Sequence, residues 1–270
     1  MKSADNFKNR RNCIICGHEM NHAFTGMILG KYECYAFSCP DCGFLQIVDP
    51  HWLSEAYTDA IADSDTGLVA RNISLSNQLS PLLFYLFGTD GIYVDFAGGT
   101  GLLVRLMRDI GFDYYWNDQY CQNIHARGFE FDINDRMYDV VTAFEVLEHV
   151  QDPVSFLMDT LEKTKAKVFV ISTECFEGLP PDYNEWWYYS FHSGQHISFY
   201  QIKTLKYIAS CLDLSFINVG SLYVFCDSCI KEKIYKFNGS RWTQMLTRFR
   251  LRKHLKSKTL SDHLIISGRL

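Results

Sequence analysis

Ile92-Tyr93-Val94-Asp95-Phe96-Ala97-Gly98-Gly99-Thr100-Gly101-Leu102-Leu103-Val104 is the stretch whose reading decides the fold. An apolar run ends in an acid, and a glycine turn then opens an amphipathic segment. Ile92, Tyr93 and Val94 have the character of a buried parallel strand, whereas Leu102, Leu103, Leu106 and Met107 recur at helical spacing. Without a Cβ at Gly98, Gly99 and Gly101 the backbone can turn sharply and approach a ligand closely, and the helix that follows presents free N–H groups at its start. Such a turn is a cradle for a nucleotide cofactor. Asp118 follows at about the spacing where these folds set an acid on ribose hydroxyls, at the end of a second apolar run, Tyr114 to Trp116.

A dinucleotide fingerprint needs a small residue three positions after Gly101, where this chain has the β-branched Val104. Asp95, just before the turn, would repel a phosphate but suits a cationic amino-acid tail. From Asp95 to Asp118 the chain resembles the first two motifs of class I S-adenosylmethionine-dependent methyltransferases, with Ala97 in place of the first glycine of the family's acid-x-Gly-x-Gly-x-Gly. The resemblance implies S-adenosylmethionine held by Asp95, Ala97, Gly98, Gly99, Gly101 and Asp118, with Phe144 at the end of a later strand.

Composition narrows the class further. The 270 residues are 47% hydrophobic and 21% charged, which excludes wholesale disorder and fibrous classes. A formal charge of −5 and a pI near 6.0 argue against a surface that grips nucleic acid as a whole. No apolar stretch reaches membrane-span length, and the first ten residues lack the apolar core of a secretory signal, so a cytoplasmic protein is expected.

Ten cysteines in a chain read as leaderless point away from a disulfide framework. Cys13-Ile14-Ile15-Cys16-Gly17 and Cys39-Pro40-Asp41-Cys42-Gly43 are two Cys-x-x-Cys knuckles, each followed by a glycine where the chain curls back toward sulfur. Four thiolates in this pattern suit tetrahedral zinc with no open position, so the metal is expected to be structural. A hairpin tip around Asn21 to Gly30 would accommodate the spacing between the pairs. Cys34 is a spare ligand, and Cys121, Cys175, Cys211, Cys226 and Cys229 read as buried hydrophobes.

Helices are expected over Trp52 to Ile61 and Leu68 to Phe87, the second broken at Pro81. Strand and helix patterns then alternate: Ile92 to Phe96, Leu102 to Ile110, Asp113 to Asn117, a short run near Gly128 to Phe131, Val140 to Phe144, Val154 to Thr164 and Val168 to Ser172. Alternation of this kind predicts an α/β fold, a doubly wound Rossmann-like parallel sheet with helices on both faces. Thr204 to Cys211 reads as a helix, and Leu214 to Val219 and His263 to Ser267 as closing strands, the last antiparallel. Three parts are expected: a zinc-ribbon module over residues 1–50, a helical cap over 51–90 and a methyltransferase-like domain over 91–270.

Ligands in open α/β sheets lie outside the carboxyl ends of the strands, where Asp95, Asp118 and Phe144 fall. The segment ending Glu145-Val146-Leu147-Glu148-His149 resembles the methyltransferase stretch in which a strand reaches the cofactor and turns into a helix, which would set Glu145 and His149 on one face. Gln195-His196-Ile197-Ser198-Phe199-Tyr200 resembles the His-Ile-Ser-Phe-Phe signature of a zinc-ribbon subfamily that includes sugar C-methyltransferases. That resemblance implies His196 as general base, with His149 and Glu145 as further catalytic candidates, and a small-molecule acceptor such as a sugar or nucleotide sugar. Gln195 stands where the subfamily commonly has glutamate. Trp186, Trp187, Tyr188 and Tyr189 would form an aromatic wall for a sugar or a flat acceptor. The alternatives are an RNA methyltransferase, supported locally by the basic run from Arg248 to Lys258, and an inactive methyltransferase-like binding module.

Overall fold

The computed structural model describes residues 11–58, 61–134 and 136–269. The expectation that the first ten residues carry no secretory signal falls outside them. Strands β1 (Arg11–Asn12), β2 (Glu19–Ile28), β3 (Tyr32–Ser38) and β4 (Leu45–Val48) precede helices α1 (Leu53–Ala56) and α2 (Leu68–Phe87). Then follow β5 (Ile92–Phe96), α3 (Leu102–Ile110), β6 (Asp113–Asn117), β7 (Val140–Phe144), α4 (Pro153–Thr164) and β8 (Val168–Ser172). The remainder comprises β9 (Ser198–Phe199), α5 (Ile202–Cys211), β10 (Ser215–Val219), β11 (Leu222–Cys226), α6 (Ser228–Asn238), α7 (Arg241–His254) and α8 (Thr259–Ile266).

Two compact units are assembled from discontinuous segments. One takes the described residues up to 58 together with Glu145–Met158 and Ser172–Phe216; the other takes those from 61 to 144 together with Asp159–Ile171 and the stretch from Ile217 on. The second unit holds a six-stranded sheet in the order β10-β11-β8-β7-β5-β6. Its centre is parallel, β5 pairing with both β6 and β7, and β11 runs antiparallel to β8. The run near Gly128 to Phe131 adds a single parallel bridge, Glu130 to Trp116, beside β6. The first unit carries an antiparallel sheet in the order β1-β2-β3-β4-β9 over its own apolar core, which includes Ile28, Ala36, Ile47, Trp52, Tyr189 and Phe199.

Pro81 does not break α2, which runs unbroken from Leu68 to Phe87. The missing N–H and the ring clash cost about 3 kcal/mol. Leu75, Leu79, Leu82, Leu83 and Leu86, all 9% exposed or less, return on the order of 10 kcal/mol by burial in the core shared with α3. Of the helix expected over Trp52 to Ile61, Leu53–Ala56 is helical and the chain leaves the helix at Tyr57, where the Thr58 hydroxyl donates to the Glu55 carbonyl at 2.9 Å; residues 59–60 of that expectation lie outside the described residues. His263 to Ser267 is no strand: α8 ends there, and the antiparallel closing strand is β11. Asp262 explains the override, for its carboxylate meets Arg108 through two hydrogen bonds of 2.7 and 2.8 Å and Arg105 at 2.9 Å, with Arg108 and Asp262 both 3% exposed. Breaking such a pair leaves an uncompensated buried charge, which is costlier than any local strand preference. The hairpin tip is confined to Leu29, Gly30 and Lys31, with Asn21 to Ile28 forming a strand arm. Cys211 and Cys229 are exposed, against the expectation of burial.

Candidate functional site

In the second unit β5 delivers Asp95 to the start of the glycine turn, and α3 leaves from it. Ala97, Gly99 and Gly101 all take left-handed backbone angles, φ 55°, 54° and 82°. Gly101 is packed, since a Cβ there would meet Asn123 Oδ1 at 2.9 Å and Ala126 at 3.2 Å, whereas a Cβ on Gly99 would meet nothing within 4 Å. The turn therefore has a bare outer edge at Gly99. No side chain caps α3, so its first N–H groups have no cap from the chain.

Asp118 braces this turn. Its Oδ2 accepts from the Gly99 N–H at 2.9 Å, and its Oδ1 accepts from the N–H groups of Tyr120 and Cys121 at 2.7 and 2.8 Å. The Trp116 indole donates to the Gly99 carbonyl at 2.8 Å. A carboxylate offers about four lone-pair sites, so three backbone donors leave one for a hydroxyl. Asp95 is 4% exposed, and burial pushes its carboxyl up to about 7; the Thr142 hydroxyl, donating to Oδ1 at 2.6 Å, pulls the other way, and the charge of Asp118 raises it further. Tyr114 shares a hydrogen bond of 2.8 Å with Thr142. Phe144, the last residue of β7, packs partly buried against the core.

Within the first unit, residues 145–149 do not form the helix expected. Glu145 sits at φ 54°, outside helical space, and only Leu147–His149 makes a single 3-10 turn. Glu145 is held by the Ser172 hydroxyl at 2.5 Å and the Tyr188 hydroxyl at 3.3 Å. The strained backbone turns Glu148 inward, where it is wholly buried with neither carboxylate oxygen hydrogen-bonded. Burial first and the neighbouring Glu145 second push its carboxyl well up, eased slightly by the nearby hydroxyls of Tyr188 and Thr173.

His149 and His196 pack edge to face, ring centres 4.8 Å apart. His149 Nδ1 lies 2.9 Å from the Tyr57 hydroxyl, and burial together with His196 pushes the ring's pKa down to about 3. The Tyr188 carbonyl lies 2.7 Å from His196 Nδ1. A carbonyl can only accept, so Nδ1 carries the proton and Nε2 the lone pair. The Gln195 amide donates to the Ala56 carbonyl at 2.8 Å, which an ionised glutamate could not do. The aromatic wall is divided, Tyr188 and Tyr189 being buried and Trp187 74% exposed. His192 is exposed. Glu148 was not among the residues expected to act, and its isolation is a property of packing that no local motif encodes.

The four knuckle cysteines come together. Cys13 Sγ is 3.6 Å from Cys42 Sγ, Cys16 Sγ is 3.3 Å from Cys39 Sγ, and all four sulfurs lie within 4.8 Å of one another. Both knuckles have the same backbone pattern: the Gly17 N–H donates to the Cys13 carbonyl at 2.8 Å, and the Gly43 N–H to the Cys39 carbonyl at 3.0 Å. Tetrahedral zinc with bonds of about 2.3 Å sets sulfurs about 3.8 Å apart, so the residues present fit the ion. Cys34 is buried apart from this cluster.

A protein-family model described as a methyltransferase domain covers residues 71–217, just over half of the chain. No curated protein matches the sequence. Among solved structures the chain is similar to the small RNA methyltransferase HEN1, at 16% identity over 57% of this chain with a TM-score of 0.39, and it spans 25% of that chain. It is similar to TnmH at 15% identity over 66% of this chain, TM-score 0.45, spanning 61% of that chain. Magnesium protoporphyrin IX methyltransferase from Synechocystis PCC 6803, with bound S-adenosylmethionine, is 12% identical over 65% of this chain and 91% of that one, with a TM-score of 0.38.

Proposed function

Since the chain belongs to the methyltransferase domain family, we propose that it is an S-adenosylmethionine-dependent enzyme that methylates a small molecule, a sugar or nucleotide sugar, at a hydroxyl or carbon. The observation that carries this reading is the turn from Asp95 to Gly101, with its open edge at Gly99 and its brace at Asp118. Asp95, Ala97, Gly98, Gly99, Gly101, Asp118 and Phe144 are the residues assigned to the donor, and His196, His149 and Glu145 those assigned to the chemistry. The donor brings a methyl group made electrophilic by its sulfonium. What the chain must do is align an acceptor and take up its proton. Alignment is worth about 7 to 11 kcal/mol, and a positioned base about 10² to 10⁴ in rate. His196 is the base in this reading, because its Nδ1 is committed to the Tyr188 carbonyl and its lone pair is on Nε2. Gln195 carries no charge to raise that basicity, which favours a hydroxyl over a carbon. Exposed Trp187 supports stacking on a ring. The four cysteines are assigned to a structural zinc ion.

Donor binding tests the assignment of Asp95. An acid held near 7, above its ordinary 3.8, keeps its proton better in the folded state, so its contribution to stability is present below about pH 4 and is lost as the pH rises to 7. A cationic donor needs the ionised form. Its affinity is therefore expected to fall about tenfold for each pH unit below 7 and to flatten in Asp95→Asn; calorimetry showing equal slopes in both proteins would remove Asp95 from the site.

An RNA acceptor has one observation in its favour. Helix α7 carries Arg241, Arg248, Arg250, Arg252 and Lys253 and no acid. Retention on RNA that weakens steeply with salt would support that reading, and methylation of nucleotide sugars without RNA retention would end it.

A further inference from the structure

Helix α7, which packs on α2 and α6 within the second unit, has its polarity inverted. Toward the protein it turns Thr247, 6% exposed, and Gln244, whose amide donates to the Phe237 carbonyl at 3.3 Å, together with Leu251 against the core. Toward solvent it turns Trp242, Met245, Leu246 and Phe249, which are 73%, 54%, 52% and 68% exposed. Positions i, i+3, i+4 and i+7 share one stripe, about 100° wide at 3.6 residues per turn. A helix that only covers a core does the reverse, apolar inward and polar outward. Single exposed apolar residues are ordinary, but four side by side mark a surface built for a partner.

Charge identifies the partner. Arg241, Arg248 and Arg252 border the stripe on one side and Arg250 on the other, Lys253 continues its line, all five are exposed, and the helix carries no acid. The whole chain has a formal charge of −5, so these cations are gathered on one element and do not reflect a basic surface. RNA would offer phosphates and bases for the two aromatic rings, but nothing apolar for Met245 and Leu246. Face to face, a second copy would set the same cations against each other. An anionic bilayer supplies both halves, phosphates at its surface and acyl chains beneath. Among the described residues no helix is long and apolar enough to cross a membrane, so α7 would lie in the surface plane. We propose that α7 seats this protein on anionic phospholipid bilayers, with Trp242, Met245, Leu246 and Phe249 entering the boundary between headgroups and acyl chains and the five cations meeting lipid phosphates. The proposal stands whatever the methyl acceptor is.

Co-sedimentation of the full-length chain with vesicles tests it. Phosphatidylcholine vesicles containing about one third phosphatidylserine are expected to retain the wild type, and vesicles of phosphatidylcholine alone to bind it at least tenfold more weakly. Replacing Leu246→Gln together with Phe249→Gln is expected to cut binding to the anionic vesicles at least tenfold. Arg248→Gln with Arg252→Gln should cut it about 25-fold, at about fivefold for each cation. Lipids brominated on their acyl chains are expected to quench wild-type tryptophan emission, and Trp242→Phe to lose most of that quenching. The lipid preference and the quenching are read on the wild type and stand even if a variant fails to fold. No retention on the anionic vesicles overturns the proposal, as does retention that the paired glutamine change leaves untouched, which is adsorption by charge alone. RNA binding without vesicle retention would give the cations to RNA, and dimerisation abolished by the glutamine pair without vesicle retention would give the stripe to a second copy; either result overturns it.

Discussion

Stripping metal from the four cysteines is expected to lower the thermal midpoint of the chain by more than 10 °C and to release about one zinc ion per molecule. Structural zinc in four-thiolate sites contributes about 10 to 16 kcal/mol of apparent binding energy in small modules, and a third of that, about 3 to 5 kcal/mol, is a large share of the about 5 to 15 kcal/mol that keeps most domains folded. About 1 kcal/mol shifts the midpoint by 2 to 4 °C in a protein of this size. Without the ion, four thiols crowd within 4.8 Å of one another and share protons: Cys13 is drawn down to about 5 chiefly by the Cys42 thiol that donates to it, and Cys42 is driven up in turn. The ribbon is tied into its unit through the Thr204 hydroxyl, 2.7 Å from the Cys42 carbonyl, and Lys203, 3.1 Å from the Pro40 carbonyl. Its loss should therefore be felt beyond residues 13–42. Scanning calorimetry before and after a strong chelator, with metal analysis of the released fraction, checks this. Less than half an equivalent of zinc and an unmoved midpoint would leave the cysteines as thiols.

His196→Ala is expected to cut turnover by about 10² to 10⁴ while donor affinity stays within about twofold. The first part follows from losing the base that takes up the acceptor's proton. The second follows because His196 is not among the residues assigned to the donor, which run from Asp95 to Asp118 and include Phe144. Turnover of a methyl-accepting nucleotide sugar, set beside calorimetry with the donor, reads both quantities. Unchanged turnover removes His196 from the chemistry, and a parallel loss of donor affinity makes its role structural.

How much of this was legible in the chain varies with how local each signal is. Strands Ile92–Phe96, Asp113–Asn117, Val140–Phe144 and Val168–Ser172 have the predicted bounds; the first, third and fourth are central strands buried on both faces and read as continuous hydrophobic stretches, whereas Asp113–Asn117 lies at the sheet edge and was legible from its aromatic run. The knuckles were legible because spacing dictates which sulfurs can meet. Tertiary packing decided the rest. Pro81 argues locally for a break but is outweighed by five buried leucines, and the Ile265-Ile266 pair looks like a strand until Asp262 docks on Arg108. His149 and His196 lie far apart in sequence, and only family likeness flagged them. Their meeting beside Glu148, and the left-handed Glu145 that turns the chain there, come from the folded backbone.

Central to the account is a methyl donor seated against the bare edge of the glycine turn, and titration of S-adenosylmethionine into wild-type protein and Gly99→Ala tests it most directly. A Cβ at Gly99 meets no protein atom within 4 Å, so the substitution carries only the left-handed cost of about 1 to 2 kcal/mol and leaves the fold intact. The account predicts one-to-one binding in the wild type and an affinity at least tenfold lower in the folded variant. No heat with the wild type, or equal affinity in both proteins, would contradict it.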